Sequence, residues 1–297
     1  MAGYVLVTGG SGFVGLASVR ALLAEGCEVI ATTTRPDTPP FSAVGLRWVG
    51  WDAMAAPLPE VDWRSVDAIC HLAVPRHLGP FPEQADALFA VNIATTFALL
   101  EAARTQGVAR VVLASTGDVV APADELANES DRHFQPRNFY GTTKACLELL
   151  ADAYAGTLSV AVLRIYHPYG PGGERFVVNR LIRKVQAGED ITLEGPDGIL
   201  INPLWIDDLG EGLARAVRSS VTGTFNLAGS ELVRLRALLE LTASLCGRPA
   251  TLRSLDVTPD PRHAGRMEAS CKALGWSPKI GLRDGLSRLL AESGTRG

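Results

Sequence analysis

Short apolar runs alternate with stretches of helical period through the first half of the chain. Residues 4–8, 28–33, 46–49, 68–72, 110–115 and 158–164 form apolar segments of strand length, while 13–25, 85–106 and 140–154 place apolar side chains on one helical face. Gly107 stands where the second of those helices needs a C-cap. Strands that are apolar throughout, separated by helices, predict a parallel sheet covered on both faces. With right-handed crossovers such a sheet is doubly wound. Beyond Tyr169-Gly-Pro-Gly-Gly the texture changes. A helix over 176–187 leads into a Gly/Asp/Pro-rich stretch over 188–203. Strands at 204–207 and 224–227, returning to the first sheet, flank a helix over 209–219, and helical segments follow at 232–246 and 282–291. The expected fold class is α/β. Residues 1–168 and 204–228 make up the principal domain, and 169–203 with 229–297 a smaller C-terminal α/β cap over the strand ends, where open α/β sheets bind ligands.

Composition adds exclusions rather than a fold. With 47% hydrophobic and 20% charged residues the chain has the balance of a globular protein. A net charge of −4 argues against a broad basic surface, so no nucleic-acid partner is expected. Cys27, Cys70, Cys146, Cys246 and Cys271 are scattered with no metal-ligand spacing, which fits reduced thiols and no metal. The first residues read as a strand entering a glycine turn rather than a signal peptide. No apolar run reaches the ~18 residues of a membrane span, so a cytoplasmic protein without membrane association is expected.

Candidate chemistry begins at Thr8–Gly15, TGGSGFVG, where Gly9, Gly12 and Gly15 follow a strand and open a helix. Glycine permits positive φ in the turn and lets backbone approach a pyrophosphate, and the helix N-terminus favours phosphate charge. In this context the spacing is a dinucleotide-binding fingerprint. An acid about 20 residues on would bond the 2′-hydroxyl of NAD. Thr32, Thr33, Thr34 and Arg35 stand there instead, and hydroxyls with a guanidinium accept a 2′-phosphate. The cofactor is therefore expected to be NADP or NAD, with NADP preferred and Thr33 and Arg35 at the ribose.

Tyr140-Gly-Thr-Thr-Lys144 opens a later helix, and four-residue spacing sets the phenol and the ammonium on one face. A neighbouring ammonium stabilises a phenolate and so makes tyrosine usable as an acid/base group. The preceding strand ends in Ser115 and Thr116, either of which supplies a hydroxyl for a substrate oxygen. Glycine turn, hydroxyl strand end and YxxxK in that chain order point to hydride transfer at an alcohol or ketone carbon.

On these motifs the chain resembles the extended short-chain dehydrogenases/reductases of the NAD-dependent epimerase/dehydratase family. The similar stretches include DAICHLAV, VNIATTFALLEAARTQGVARVVLAST, YGTTK, LRIYHPYGPG, PLWIDDL, FNLAG and LGWSPK, spread over nearly the whole length. The resemblance implies a Rossmann domain. It places Gly9, Gly12, Phe13 and Val14 beside the pyrophosphate, Asp52 near the adenine, and Leu72, Ala73, Val74 and Ser115 along the cofactor. It also implies that Asn92 lies behind the site and that His71 packs against the sheet. Thr116 becomes the catalytic hydroxyl, Tyr140 the acid/base and Lys144 its electrostatic partner. Tyr140 and Lys144 also contact the cofactor, and members pair as homodimers through a four-helix bundle.

Departures from the family bear on substrate. Many nucleotide-sugar enzymes of the family carry a diphosphate-binding arginine where this chain has Ile201, and an asparagine where it has His167. Arg175, Arg180, Arg183 and Lys184 are possible replacements, and His167 and Arg175 are the expected substrate contacts. Sugar dehydratases of the family carry Thr-Asp-Glu or Thr-Ser-Glu at the catalytic strand end, whereas Thr116-Gly117-Asp118 keeps only the base position, making Asp118 a possible acid/base. The expected function is an NAD(P)-dependent sugar-nucleotide epimerase or ketoreductase. Its alternatives are a dehydratase using Asp118 and a reductase of a non-sugar ketone or aldehyde. A non-catalytic NADP-binding regulator is the remote alternative, since such relatives lose the tyrosine or lysine kept here.

Overall fold

The computed structural model describes residues 3–56, 58–75, 81–120, 125–131, 133–257 and 262–294. The first half runs β1 (Tyr4–Thr8), α1 (Phe13–Ala24), β2 (Val29–Thr33), β3 (Leu46–Gly50), β4 (Val66–His71), α2 (Ala85–Phe89), α3 (Thr95–Gln106), β5 (Arg110–Thr116), α4 (Phe139–Tyr154) and β6 (Ser159–Ile165). The second half adds β7 (Pro168–Tyr169), α5 (Val177–Ala187), β8 (Ile191–Glu194), β9 (Leu200–Ile201), β10 (Leu204–Trp205), α6 (Ile206–Arg218) and β11 (Gly223–Leu227). The chain then continues through β12 (Val233–Arg234), α7 (Leu235–Cys246), β13 (Leu252–Leu255), β14 (Arg262–His263), α8 (Glu268–Leu274) and α9 (Leu282–Gly294).

Seven parallel strands in the order β11-β6-β5-β4-β1-β2-β3 make the expected doubly wound sheet. Its central strands are buried on both faces because each face carries its own apolar layer. On one side Val5, Val7, Leu22, Leu163, Leu209 and Leu213 share a core that runs on into the cap. On the other, Leu6, Ile69, Leu99, Val111, Leu113 and Leu147 pack beneath α3 and α4. Each such side chain contributes about 1.5–3 kcal/mol by leaving water. The reversal of strand order between β1 and β4 opens the crevice in which sheets of this kind bind ligands.

Three details differ from the sequence expectation. The stretch over 188–203 holds two short strands, β8 paired with β13 and β9 between β12 and β14. The strand expected at 204–207 is only β10, and it pairs with β7 in a separate two-stranded sheet, while α6 starts at Ile206. The helix over 85–106 carries a π-helical turn at Ala90–Ala94. This run, Ala85–Gln106, also has the length and mean hydropathy, 1.4, of a membrane span, although polar residues interrupt its apolar positions. Its Leu99, Leu100 and Ala103 lie in the core beneath the sheet.

Candidate active site

At the β1–α1 turn, contacts too close for a side chain select glycine. Gly9 has φ +68°, and a Cβ there would lie 2.8 Å from the Ala73 backbone. A Cβ on Gly15 would sit 2.1 Å from the Gly9 carbonyl. The turn is closed by Gly12 N–H to Gly9 O (2.9 Å) and by Gly9 N–H to the Thr32 hydroxyl (3.0 Å). Thr8 Oγ1 accepts from the amides of Leu72 (3.2 Å) and Ala73 (3.3 Å), so its own proton goes to His71 Nδ1, 2.7 Å away. Burial, and then the Lys144 charge, push His71 down to about 3, so its ring is neutral.

Helix α1 starts at Gly12 without a side-chain cap, leaving its first amides for an anion. A glycine cradle ending in an uncapped helix fits a pyrophosphate. Val14 is half-buried there, and the Phe13 ring leans toward the cap, 4.8 Å from Phe176. At the end of β2, Thr33 is buried and its hydroxyl accepts from Arg35 N–H (3.1 Å), with Arg35 exposed. Leu72 and Ala73 are buried and Val74 is exposed. Asp52 is exposed and its carboxylate accepts from Met54 N–H.

Across the crevice, α4 is pinned onto the end of β5. Asn138 caps it through Gly141 N–H (2.8 Å), and a Cβ on Gly141 would meet the Asp118 carbonyl at 2.7 Å. Lys144 Nζ donates to Ala114 O at 2.8 Å. Asn92, on the π turn, donates to Thr143 Oγ1 at 2.9 Å, and Thr143 in turn donates to the Tyr140 carbonyl. Insertion of one residue into the helix is what turns this side chain toward α4. Burial lowers the Lys144 ammonium to about 8, offset in part by Glu148. Burial, then the Asp118 charge, raise the Tyr140 phenol well above its usual value.

Thr116 Oγ1 accepts from Asp118 N–H (3.2 Å) and lies 3.4 Å from Asp118 Oδ2. Ser115, an expected cofactor contact, turns its hydroxyl away from the crevice. That hydroxyl points into the core and donates to Glu148 Oε1 at 2.5 Å. Glu148 also pairs with Arg164 at 2.8 Å, both side chains almost wholly buried. Arg164 donates onward to Asp131 O (2.8 Å) and so holds the loop after β5.

The cap supplies groups that sequence reasoning missed. His263 Nε2 lies 3.2 Å from Asp118 Oδ1, and His263 Nδ1 lies 2.9 Å from His167 Nε2. His167 has φ +42°, a conformation few non-glycine residues adopt. The Tyr166 ring lies where a side chain at 117 would go, since a Cβ on Gly117 would be 2.3 Å from it. That contact is why the acid position of the dehydratases is glycine here. Ile201 is buried in β9 beside Val233 and His263, so the side chain at that place is aliphatic. Arg175 is exposed ahead of α5. Among the described residues no group of His, Cys, Asp or Glu converges as metal ligands.

Backbone amides for a phosphate on one wall and a phenol and hydroxyl on the other suit a dinucleotide and an alcohol or ketone, the reactants of a short-chain dehydrogenase/reductase. Comparison of sequences narrows the class. The profile of the NAD dependent epimerase/dehydratase family matches residues 5–228, and the chain belongs to that family, as an enzyme of the extended type. The dTDP-glucose 4,6-dehydratase of Streptomyces griseus is 29% identical, covering 98% of this chain and 94% of the relative. UDP-glucuronic acid decarboxylase 1 of Arabidopsis thaliana is 28% identical, covering 97% and 69%. The solved structure of MoeE5 in complex with UDP-glucuronic acid and NAD superposes with a TM-score of 0.84 at 28% identity, over 99% of this chain and 100% of that one.

Proposed function

We propose that the protein is an NAD(P)-dependent enzyme that moves hydride at a carbon of a nucleotide-linked sugar, as an epimerase or ketoreductase. The observation that supports this reading is the seating of α4 on the end of β5, with Lys144 bonded to the Ala114 carbonyl and Gly141 packed against the Asp118 backbone. A nucleotide sugar is supported by relatives of three chemistries that share such a substrate in name, a dehydratase, a decarboxylase and an epimerase.

Gly9, Gly12, Val14, Thr33, Arg35, Leu72, Ala73, Val74 and Lys144 would hold the dinucleotide, which supplies the hydride acceptor or donor. Tyr140 takes the proton from the substrate hydroxyl as the carbon is oxidised, and returns it when the carbonyl is reduced. The Thr116 hydroxyl bonds that same oxygen. The Lys144 ammonium offsets the burial that otherwise disfavours a phenolate. NADP is the preferred form, because β2 ends in Thr33, Thr34 and Arg35 with no acid before the exposed Asp37. Phe89, Phe97 and Leu149, on the helices over 85–106 and on α4, are half-exposed apolar groups, which supports a homodimer through these helices.

A second reading is favoured by Asp118. Burial alone would raise its carboxyl, but His263 beside it and the Arg137 guanidinium outweigh that and hold it below the usual range. A carboxylate beside Thr116 can take the proton from the carbon next to a new carbonyl. The bond electrons then form a carbon–carbon double bond, and a neighbouring hydroxyl takes the proton back from the Asp118 carboxyl and leaves as water, which is a dehydration. The experiment is incubation with UDP-glucose, UDP-glucuronic acid or dTDP-glucose and either NAD or NADP, with products analysed for stereochemistry and loss of water. Inverted or reduced sugar supports the first reading, and loss of water the second. If all three sugars return unchanged, the sugar reading fails. Stronger thermal stabilisation by NADP than by NAD checks the cofactor.

A further inference from the structure

His263 reaches the catalytic strand end from the far part of the chain. Strand β14 lies parallel to β9, with His263 opposite Ile201. The segment after it is locked by Asn202, which donates to Gly265 O (2.9 Å) and accepts from Gly265 N–H (3.3 Å). Ala127 N–H also bonds Ala264 O at 3.0 Å, tying this segment to the loop that Arg164 holds. The imidazole therefore has little freedom.

The partners of His167 decide the protonation pattern. His167 Nε2 is 2.9 Å from the His263 carbonyl and 2.9 Å from His263 Nδ1. A carbonyl oxygen only accepts, so His167 Nε2 carries a proton. That N–H faces His263 Nδ1, which must then be the bare nitrogen, since two facing N–H groups repel. The single proton of a neutral His263 is left on Nε2, the atom 3.2 Å from Asp118 Oδ1. In the resting geometry this N–H is not in line with the carboxylate oxygen, so the contact is one of ion-pair range rather than a formed hydrogen bond. Burial above all lowers His167 to about 4, which keeps the first member of the chain neutral. The other groups that act on Asp118 are Arg137 and the Tyr140 phenol, and the Thr116 hydroxyl touches its second oxygen.

We propose that His263, set in its Nε2-protonated form by His167, is a positioning residue that aims the Asp118 carboxylate at the substrate and couples the cap to the end of β5. The proposal rests on the reading in which Asp118 transfers a proton. His263 reaches no reacting atom itself. It acts by standing 3.2 Å from one oxygen of Asp118, which leaves the other facing Thr116.

The test uses the full chain with NAD and histidine labelled with the heavy nitrogen isotope, read by long-range proton–nitrogen correlation near neutral pH. His263→Gln and His167→Gln assign the two signals. The expected result is His263 protonated on Nε2, with that signal moving on Asp118→Asn while those of His71 and His133 stay in place. A His263 protonated on Nδ1, or an Nε2 signal indifferent to Asp118→Asn, overturns the proposal. A kinetic arm uses whichever of the three nucleotide sugars above the wild type converts. His263→Gln keeps a donor and should retain most of kcat, whereas His263→Leu should lower kcat about tenfold to a hundredfold with KM little changed. Equal losses in the two variants, with cofactor-induced stabilisation intact, would also overturn it. If the wild type converts none of the sugars, the substrate reading fails, and the tautomer measurement alone decides the role of His263.

Discussion

Around the first crossover the crevice is shaped by backbone and small hydroxyls: Gly9 against Ala73, Gly15 against the Gly9 carbonyl, Thr8 and Thr32 holding amides. Across from it, at the end of β5, the wall is made of titratable groups from four segments. Asp118, Tyr140, His167 and His263 stand there, the two histidines 96 residues apart in the chain. The first wall would face the pyrophosphate of a dinucleotide, which does not change charge in hydride transfer, so a rigid cradle suffices. On the proposed reading the second moves protons, and its groups tune one another: Asp118 raises Tyr140, and His263 lowers Asp118. Damage to the first wall should remove cofactor and turnover together. Damage to the second should separate them.

The largest effect on stability is expected beneath the second wall. Glu148→Ala strands the buried Arg164 and should cost about 3–5 kcal/mol in denaturant unfolding, because an uncompensated charge stays in the core. A loss near the value of a surface pair would mean that Arg164 reaches water. Gly15→Ala comes next, at about 1–3 kcal/mol, since its Cβ meets backbone that cannot yield cheaply. It should also abolish thermal stabilisation by NAD or NADP. Retained stabilisation would show the cradle to be looser than described.

Gly117→Asp should cost a similar or smaller amount, about 1–3 kcal/mol, by displacing the Tyr166 ring. It should leave cofactor-induced stabilisation intact, which sets it apart from the first-wall variant. The remaining effect is on pH dependence. His71 and His167 have folded values near 3 and 4, below the ordinary value of 6.5. The unfolded chain therefore binds more protons as pH falls below that value, and stability is lost in that direction until the folded values are reached. The slope is about 1.4 kcal/mol per pH unit for each histidine. His71→Asn should make the loss between about pH 7 and pH 5 shallower by one such contribution. An unchanged slope would place the His71 proton elsewhere.

The contrast between the walls also sets how much of the site was legible in the sequence. The glycine turn and YxxxK are local patterns in which spacing alone fixes geometry, and so the sheet, α1 and α4 follow from the chain as read. Ser115 and Thr116 are neighbours on a strand and face opposite ways, so only one hydroxyl reaches the crevice. Glu148, one turn beyond Lys144 on α4, is the signal that assigns Ser115 to the core. Strands β9 and β14 are two residues long and carry no alternation to read. His263 gains its meaning only when β14 docks on β9, and no local pattern links it to Asp118. Tyr166 likewise explains Gly117 only through a contact in space.

The central claim is that Tyr140 performs acid/base chemistry on a nucleotide sugar at a site that binds cofactor independently of it. Its most direct test compares wild type with Tyr140→Phe on UDP-glucose, UDP-glucuronic acid and dTDP-glucose, with NAD or NADP, scoring product formation beside cofactor-induced thermal stabilisation. The account predicts an altered sugar from the wild type, at least about 10²-fold less product from the variant, and equal stabilisation of both by the cofactor. A variant that forms product at the wild-type rate, or a wild type that leaves every one of these sugars unchanged, would contradict it.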